Sequence, residues 1–405
     1  MVPHNPRPMS DSPSLRRPGS ALAITGLGCI GAPGQGLAAQ RAALDAGVCG
    51  LRVIPGSRLP LARSVPIGAV EAALPPLPSR TAALALAAAR EALRSAGLPP
   101  AQRDEIAVVV GTCTGGMPES EAVFLRDGEQ VVSPVYRRQH PHRTTQALAR
   151  ILRCHGPQGT HALACASAAA AIIEAMELVR SGACPAALAV GADALTRVTM
   201  AGFTSLMLID PHGCRPLTAE RGGMSLGEGA AALLIEDPQH ARRRGATPIA
   251  SLLGWGEHPD AYHLTSPEPE GAQLQRAIDD SLGDGGVARN QVGYVNAHGT
   301  GTRDNDQVET AVLARLFGAI PTASAKRTYG HTMGAAAAVE AVACCLALGG
   351  QRLWASAGAE GGTPLGGVEV LRTSRAGALD VVLSTTLAFG GVNACLAFGK
   401  GERCA

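Results

Sequence analysis

Aromatic residues are scarce in this 405-residue chain, where Phe, Trp and Tyr together make 3%. Its core must be built from small and branched aliphatic side chains packed around many turns, in keeping with 50 glycines and 28 prolines. These show no three-residue period, which excludes collagen. Net charge is also nearly absent: 35 Lys and Arg against 33 Asp and Glu leave +2, so there is no nucleic-acid footprint. An apolar fraction of 46% excludes wholesale disorder. No Cys-x-x-Cys pair occurs, which argues against a metal site of the paired-cysteine kind. The 11 cysteines are odd in number and sit singly in apolar or helical runs, or as Ala-Cys-Cys at 343–345. They read as reduced thiols of a cytoplasmic protein, most of them small core residues. No long apolar run is clean: 332–350 carries Glu340, so no membrane span is expected. Arg16 and Arg17 precede an apolar run broken by Gly26 and Gly28 without a cleavage site, which reads as a first buried strand rather than an export signal. Residues 1–19, rich in Pro, Ser and Arg, read as a disordered tail.

What is present is an alternation of short β-rich runs ending in glycine turns with Ala-rich helical stretches. Strands are expected at 21–25, 106–111, 186–191, 230–236, 291–296, 380–386 and 394–398. Helices are expected at 36–46, 82–96, 144–153, 166–180, 271–282, 306–317 and 333–348. Such alternation implies α/β layers. The pattern runs twice, each half closing with a strand pair. The Pro-, Glu- and Gly-rich segment 255–270 gives the expected boundary, with halves at 20–255 and 256–405.

Four segments can carry chemistry. In His161-Ala-Leu-Ala-Cys165-Ala-Ser a strand-like entry meets an Ala-rich run closed by Arg180 and Gly182, which places Cys165 at the first turn of a helix. The positive end of the helix dipole there favours thiolate, although taken alone a buried structural thiol is the commoner meaning. Tyr294-Val-Asn-Ala-His298-Gly-Thr300-Gly-Thr302 puts His298 at a strand's carboxyl end, where α/β proteins build sites; a capped turn fits the segment equally. Ser324-Ala-Lys326-Arg-Thr-Tyr-Gly-His331-Thr-Met-Gly holds His331 near a helix start, which keeps imidazole neutral, while a lone lysine there would ordinarily be a solvated charge. Leu387-Ala-Phe389-Gly-Gly-Val-Asn393 is a glycine turn between two strands, either a tight hairpin or a source of backbone N–H donors. Gly222-Gly-Met-Ser-Leu-Gly-Glu228-Gly has neither P-loop nor dinucleotide spacing.

In this order the segments resemble the elongating β-ketoacyl-acyl carrier protein synthases of type II fatty-acid, polyketide and aryl-polyene assembly. Ala-Cys165-Ala-Ser, Gly227-Glu228-Gly, Asn-Ala-His298-Gly-Thr-Gly-Thr, Lys326 with Gly-His331-Thr-Met-Gly, and Phe389-Gly-Gly-Val-Asn393 carry the resemblance over about residues 20–400. It implies an α/β thiolase-like fold, two similar halves in five α-β-α-β-α layers. It implies Cys165 as acyl-accepting nucleophile and backbone N–H groups of Cys165 and Phe389 as oxyanion hole. His298 and His331 would bind the malonyl thioester carbonyl. Lys326, held by Glu309 near Asp306, would orient His331. Thr300 and Thr302 match hydroxyls that hold the pantetheine arm, and Phe389 and Phe203 match gates to the acyl pocket. No metal and no cofactor is implied beyond the phosphopantetheine of the acyl carrier protein.

Ala168 to Ala171 and Val392 replace hydroxyl residues common in the family, which bears on substrate fit and leaves the Cys-His-His set whole. Two histidines argue against the priming synthases, and Cys395, inside a strand, does not match the second cysteine of thiolases. Asn305-Asp306 with Glu309 resembles the Asn-Asp-x-x-Glu of polyketide and aryl-polyene ketosynthases, implying either a homodimer or a heterodimer with a chain-length factor. The alternative, a non-catalytic chain-length factor, is not expected to keep Cys165 and both histidines. Carrier proteins are acidic, and the densest basic run, Arg137-Arg138-Gln-His140-Pro-His142-Arg143, is the expected docking segment.

Overall fold

The computed structural model describes residues 19–53, 64–128 and 133–404; the tail expected over 1–19 lies, except for Gly19, outside the described residues. Five strands form the first half: β1 (Leu22–Gly31), β2 (Ala107–Gly111), β3 (Gln158–His161), β4 (Ala186–Asp193) and β5 (Gly229–Glu236). Five more form the second: β6 (Ala250–Pro259), β7 (Val292–Asn296), β8 (Pro321–Ala323), β9 (Val381–Leu387) and β10 (Val392–Lys400). The spatial orders are β3-β2-β4-β5-β1 and β8-β7-β9-β10-β6. In each half the first two neighbouring pairs are parallel and the last two antiparallel. The doubled sequence pattern is thus one topology built twice. Leu22–Ile24 of β1 pair with 250–252 of β6, which joins the halves into one continuous sheet.

Helices fill three layers around these strands. On the outer face of the first half lie α1 (Arg80–Ser95) and α2 (His142–Leu152). Between the halves run α3 (Ser167–Arg180) and α6 (Ala336–Gly350), and outside the second half α4 (Ala272–Asp284) and α5 (Arg303–Phe317). Both faces of the strands are buried. Ala187 and Ala189 of β4 pack into the central layer, while Leu188 and Val190 pack against α1 on the outside. The stretch Met333–Gly350, α6 with the 3₁₀ turn before it, is long and apolar enough to cross a membrane, but it is buried between the two halves.

The scarcity of aromatics follows from how closely the central helices approach. A Cβ on Gly191 would stand 2.7 Å from Ala338 Cβ and 2.8 Å from Ala168 Cβ, one in each central helix. Gly191→Ala is therefore expected to cost about 1–3 kcal/mol by overpacking, read as a lower urea midpoint with an unchanged slope.

Of the ten strands named above, β3, β6 and β8 stand where none was expected, as do the helices Met117–Asp127 and Arg197–Ser205 and the shorter ones Pro238–Arg243 and Lys326–Tyr329. β3 is four residues at a sheet edge and β8 only three, too short for a periodic signal. β6 runs through the expected break at 255/256; the chain passes between the halves earlier, over 244–249. Of its Gly254 and Gly256, the second lies in the Gly-rich segment 255–270 expected as the boundary. They admit a helix instead: a Cβ there would meet the backbone oxygens of Ser281 and Ala277 in α4 at 2.4 and 2.1 Å.

Candidate active site

The two halves present the same device at their junction. After β3 the chain turns through Ala164, at φ 47°, into a short 3₁₀ turn and then α3; in the second half Met333, at φ 52°, leads through a 3₁₀ turn into α6. Ser167 pins the first turn, its Oγ accepting from Leu163 N–H at 2.9 Å and donating to Ala164 O at 2.6 Å. Asp193, at the carboxyl end of β4, ties the second turn to the loop after β2: it accepts from Cys113 N–H and Thr114 N–H in one half and from Gly334 N–H, at 2.7 Å, ahead of α6. An acid closing a buried strand in Gly191-Ala-Asp193 was the sequence signal for it.

These turns bring Cys165 Sγ to 3.0 Å from His331 Nε2. His298, just beyond β7, stands edge-on to His331 with ring centroids 5.3 Å apart. Lys326 is buried beneath them. Its Nζ donates to His298 O at 2.5 Å, lies 3.2 Å from His298 Nδ1, and pairs with Glu340 Oε1 at 2.5 Å. This corrects two expectations: the partner of Lys326 is Glu340, not Glu309, and the imidazole it addresses is His298, not His331. Glu340 is the lone charge in the apolar run 333–350, which was its signal in the sequence.

Glu309 and Asp306 shape the turn after β7. Glu309 accepts from His298 N–H at 2.7 Å, Gly299 N–H at 2.8 Å and Thr385 Oγ at 2.6 Å. Asp306 accepts from Leu217 N–H at 2.7 Å and Gly301 N–H at 3.1 Å. Glu228 lies apart, fastening Arg80 at 2.5 Å.

Protonation follows from these partners. Burial, with the Lys326 ammonium adding to it, holds both histidines well below the usual imidazole range, so both are neutral. His331 Nδ1 accepts from Met333 N–H at 3.3 Å, and His298 Nδ1 faces the Lys326 ammonium at 3.2 Å. A neutral ring whose Nδ1 accepts carries its proton at Nε2, so both rings aim Nε2–H donors into one space. Burial pushes the Cys165 thiol up to about 11; Lys326 and the Phe389 backbone N–H pull it down, while Glu340 and Asp193 oppose them. The expectation of a resting thiolate is thereby corrected. Cys165 sits in the turn ahead of α3, and desolvation outweighs the helix end.

Sγ and the imidazole nitrogens of Cys165, His298 and His331 lie within 4.8 Å of one another, a spacing that could hold a metal ion. The surroundings do not fit one. A metal-ligating histidine donates its other N–H to an acceptor, whereas both Nδ1 atoms here face donors.

The three side chains line a cleft of about 440 Å³. Thr300 and Thr302 stand on its wall, their hydroxyls 2.9 Å apart. Phe203 and Phe389 meet across it with centroids 5.5 Å apart. Gly390 and Gly391, both at φ near 85°, make the hairpin that aims Phe389 N–H at Cys165 Sγ. Arg137 and Arg138 are exposed in a separate short turn, Pro134–Arg138, and do not line this cleft.

Burial raises Glu309 from 4.5 to about 7. The folded chain therefore holds a proton that the unfolded chain has released, and the stabilisation this gives is full below about 4.5 and lost as pH rises through about 7. Wild type should lose about 3 kcal/mol relative to Glu309→Gln across that window, with a constant difference above it. Urea unfolding of both proteins from pH 4.5 to 8.5 measures it; parallel curves would refute the assignment.

The family model described as "Beta-ketoacyl synthase, N-terminal domain" matches residues 78–241, and "Beta-ketoacyl synthase, C-terminal domain" matches 249–360. The chain is 33% identical over 343 residues to a putative polyketide beta-ketoacyl synthase 1 of Streptomyces halstedii, covering 79% of this chain and 81% of that protein. It is 34% identical over 313 residues to 3-oxoacyl-[acyl-carrier-protein] synthase 2 of a Synechocystis strain, covering 73% and 75%. The solved ishigamide ketosynthase/chain length factor superposes with a TM-score of 0.86 at 30% identity, covering 94% of this chain and 99% of that one.

Proposed function

Because this chain belongs to the β-ketoacyl synthase family, we propose that its cleft performs the family's decarboxylative condensation with Cys165 as nucleophile, His298 and His331 as paired donors, and Lys326 as the residue that positions His298. The observation that carries this is the convergence of Cys165 Sγ and two Nε2–H donors on one buried space. In the first stage Sγ attacks the carbonyl carbon of an acyl thioester. The negative oxygen is held by the N–H groups of Cys165 and Phe389. The departing pantetheine thiol takes up the proton that Cys165 gives up, so the exchange closes as thiol plus thioester.

In the second stage malonyl on a second carrier enters. Its carboxylate leaves as carbon dioxide, and the bonding pair becomes an enolate whose oxygen accepts from His298 and His331 Nε2–H. The carbanion attacks the acyl-Cys165 carbonyl, and collapse releases a 3-oxoacyl carrier and the Cys165 thiolate, which takes a proton from water entering the cleft to restore the thiol. Neutral imidazoles suit this role, since each keeps its proton and lends only a hydrogen bond.

Thr300 and Thr302 hold the pantetheine arm, while Phe203 and Phe389 form the gate to the acyl chain. Acyl carrier protein is the partner that delivers both substrates, and phosphopantetheine supplies the only prosthetic chemistry. The likeness to a ketosynthase paired with a chain length factor supports a second thiolase-fold subunit, of the same chain or another. Ten cysteines, from Cys29 to Cys395, are free thiols, which supports a cytoplasmic setting. A purely non-catalytic role is disfavoured, because it leaves the Cys165, His298, His331 and Lys326 constellation without purpose. Gain of one acyl mass on incubation with acyl-carrier protein tests the reading, and no gain by wild type overturns it.

A further inference from the structure

Each turn at the junction of the halves holds a residue other than glycine in the left-handed region: Ala164, at φ 47°, directly before the nucleophile, and Met333, at φ 52°, two residues after His331. Such conformations persist only where the surroundings fix them. The peptide between Ala164 and Cys165 carries the Cys165 N–H, one of the two oxyanion donors, and the Met333 N–H sets the His331 tautomer. Whatever holds these two peptides holds the site.

A single hydrogen-bonded path runs between them. Cys113, in the loop after β2, donates from Sγ to Ala164 O at 2.9 Å. Burial, with the Asp193 carboxylate adding to it, pushes this thiol well up, so it keeps the proton it donates. The Cys113 N–H in turn donates to Asp193 at 3.0 Å, and Asp193 Oδ2 accepts at 2.7 Å from the N–H of Gly334, the residue after Met333. Oδ1 also takes Thr112 Oγ1 and the N–H and hydroxyl of Thr114, at 2.7, 2.8 and 2.8 Å. Asp193 is fully buried, and all these donors are neutral. A buried anion offset only by such donors is costly, and every one of them lies either after β2 or in the His331 turn. Gly334 lacks a side chain for this contact: a Cβ there would stand 2.7 Å from Asp193 Oδ2 and 2.9 Å from Cys113 Sγ.

We propose that Cys113 and Asp193 form a positioning bracket, an inference that rests on the condensation proposed above. Cys113 aims the Cys165 N–H at the thioester oxygen by holding the other end of its peptide plane. Asp193 holds the turn that keeps the His331 proton at Nε2. A peptide plane is rigid, so a donor on its carbonyl fixes the direction of its N–H and, by polarising the amide, strengthens it as a donor. Asparagine cannot replace Asp193. Both carboxylate oxygens accept, and an amide turned either way sets its NH2 against a donor.

The test is Cys113→Ala, Cys113→Ser and Asp193→Asn in the full chain, each read in two half-reactions: acyl loading of Cys165 from an N-acetylcysteamine thioester, and carbon dioxide release from malonyl-carrier protein. Cys113→Ala should lower the maximal rate of loading about fivefold, with the half-saturating concentration and carbon dioxide release within about twofold of wild type. Cys113→Ser keeps a donor and should restore loading. Asp193→Asn should lower the maximal rate of both half-reactions about 10²-fold, and nitrogen NMR of isotope-labelled histidine should show His331 no longer held in its Nε2–H form. A merely structural role would lower the urea midpoint and leave the rate per folded molecule unchanged. That outcome would overturn the bracket, as would an unaltered His331 tautomer or Cys113→Ser behaving as Cys113→Ala. Where Asp193→Asn does not fold, Gly334→Ala, which displaces the carboxylate without removing its charge, serves for the His331 turn. Failure of wild type to load while His331 keeps its tautomer would count against the condensation alone, because the NMR signal needs no turnover.

Discussion

Cys165→Ala is expected to gain no acyl mass from acyl-carrier protein and to lose condensation by about 10⁴-fold or more, while remaining folded. The size follows from what is removed: a nucleophile through which the acyl group must pass, and among the described residues the one thiol that lines the cleft. The fold survives because Sγ is the only heavy atom lost from a small buried cluster that Cys165 shares with Ala166 and Ala388. The two Nε2–H donors owe their tautomers to Lys326 and Met333, not to Cys165. The variant should therefore still release carbon dioxide from malonyl-carrier protein, uncoupled from bond formation. Intact mass, 3-oxoacyl product and carbon dioxide are read on the same samples. An acyl adduct on Cys165→Ala would place the nucleophile elsewhere, and loss of carbon dioxide release together with condensation would show that the histidines act only in concert with the thiol.

The parts of this site that were legible in the sequence are those fixed by local chain geometry. Cys165 leads α3 and His331 leads the turn before α6 because each follows a short turn into an Ala-rich helix, and that pattern is visible one segment at a time. His298 closes β7 for the same reason. What was misassigned depends on contacts across the junction of the halves. Lys326 is 14 residues from Glu340 and 17 from Glu309, and nothing local distinguishes the two acids. The decision comes from α6, which threads between the halves and carries Glu340 beneath the histidines. The thiol's protonation was misjudged likewise: the helix end is a local feature, whereas the burial that outweighs it and the acids Glu340 and Asp193 are supplied by the other layers. Strand β6 escaped notice because its glycines serve the approach of α4, a reason that exists only once the layers are stacked.

Lys326→Met is expected to be the most damaging substitution outside the nucleophile, through two separable effects. Glu340 is buried, its Oε1 rests on Lys326 Nζ at 2.5 Å, and its Oε2 has no hydrogen-bond partner. Removing the ammonium leaves a carboxylate without compensation, which costs about 3–5 kcal/mol. Burial already raises the Glu340 carboxyl, and Lys326 is what opposes that rise. Without Lys326 the folded form favours the protonated acid still more, so its stability is best preserved near pH 5 and falls further behind wild type as pH climbs to 8. The second effect is catalytic. His298 Nδ1 loses the donor that forces its proton onto Nε2, and a ring free to invert its tautomer presents a lone pair to the enolate instead of a hydrogen. Loss of one such donor costs about 10²–10³ in turnover. The double variant Lys326→Met/Glu340→Leu separates the two: with the stranded charge gone, urea unfolding should return to within about 1–2 kcal/mol of wild type, while carbon dioxide release stays low. If activity returned together with stability, Lys326 would be a packing residue and His298 would owe its orientation to the Glu309 hydrogen bond at its backbone alone.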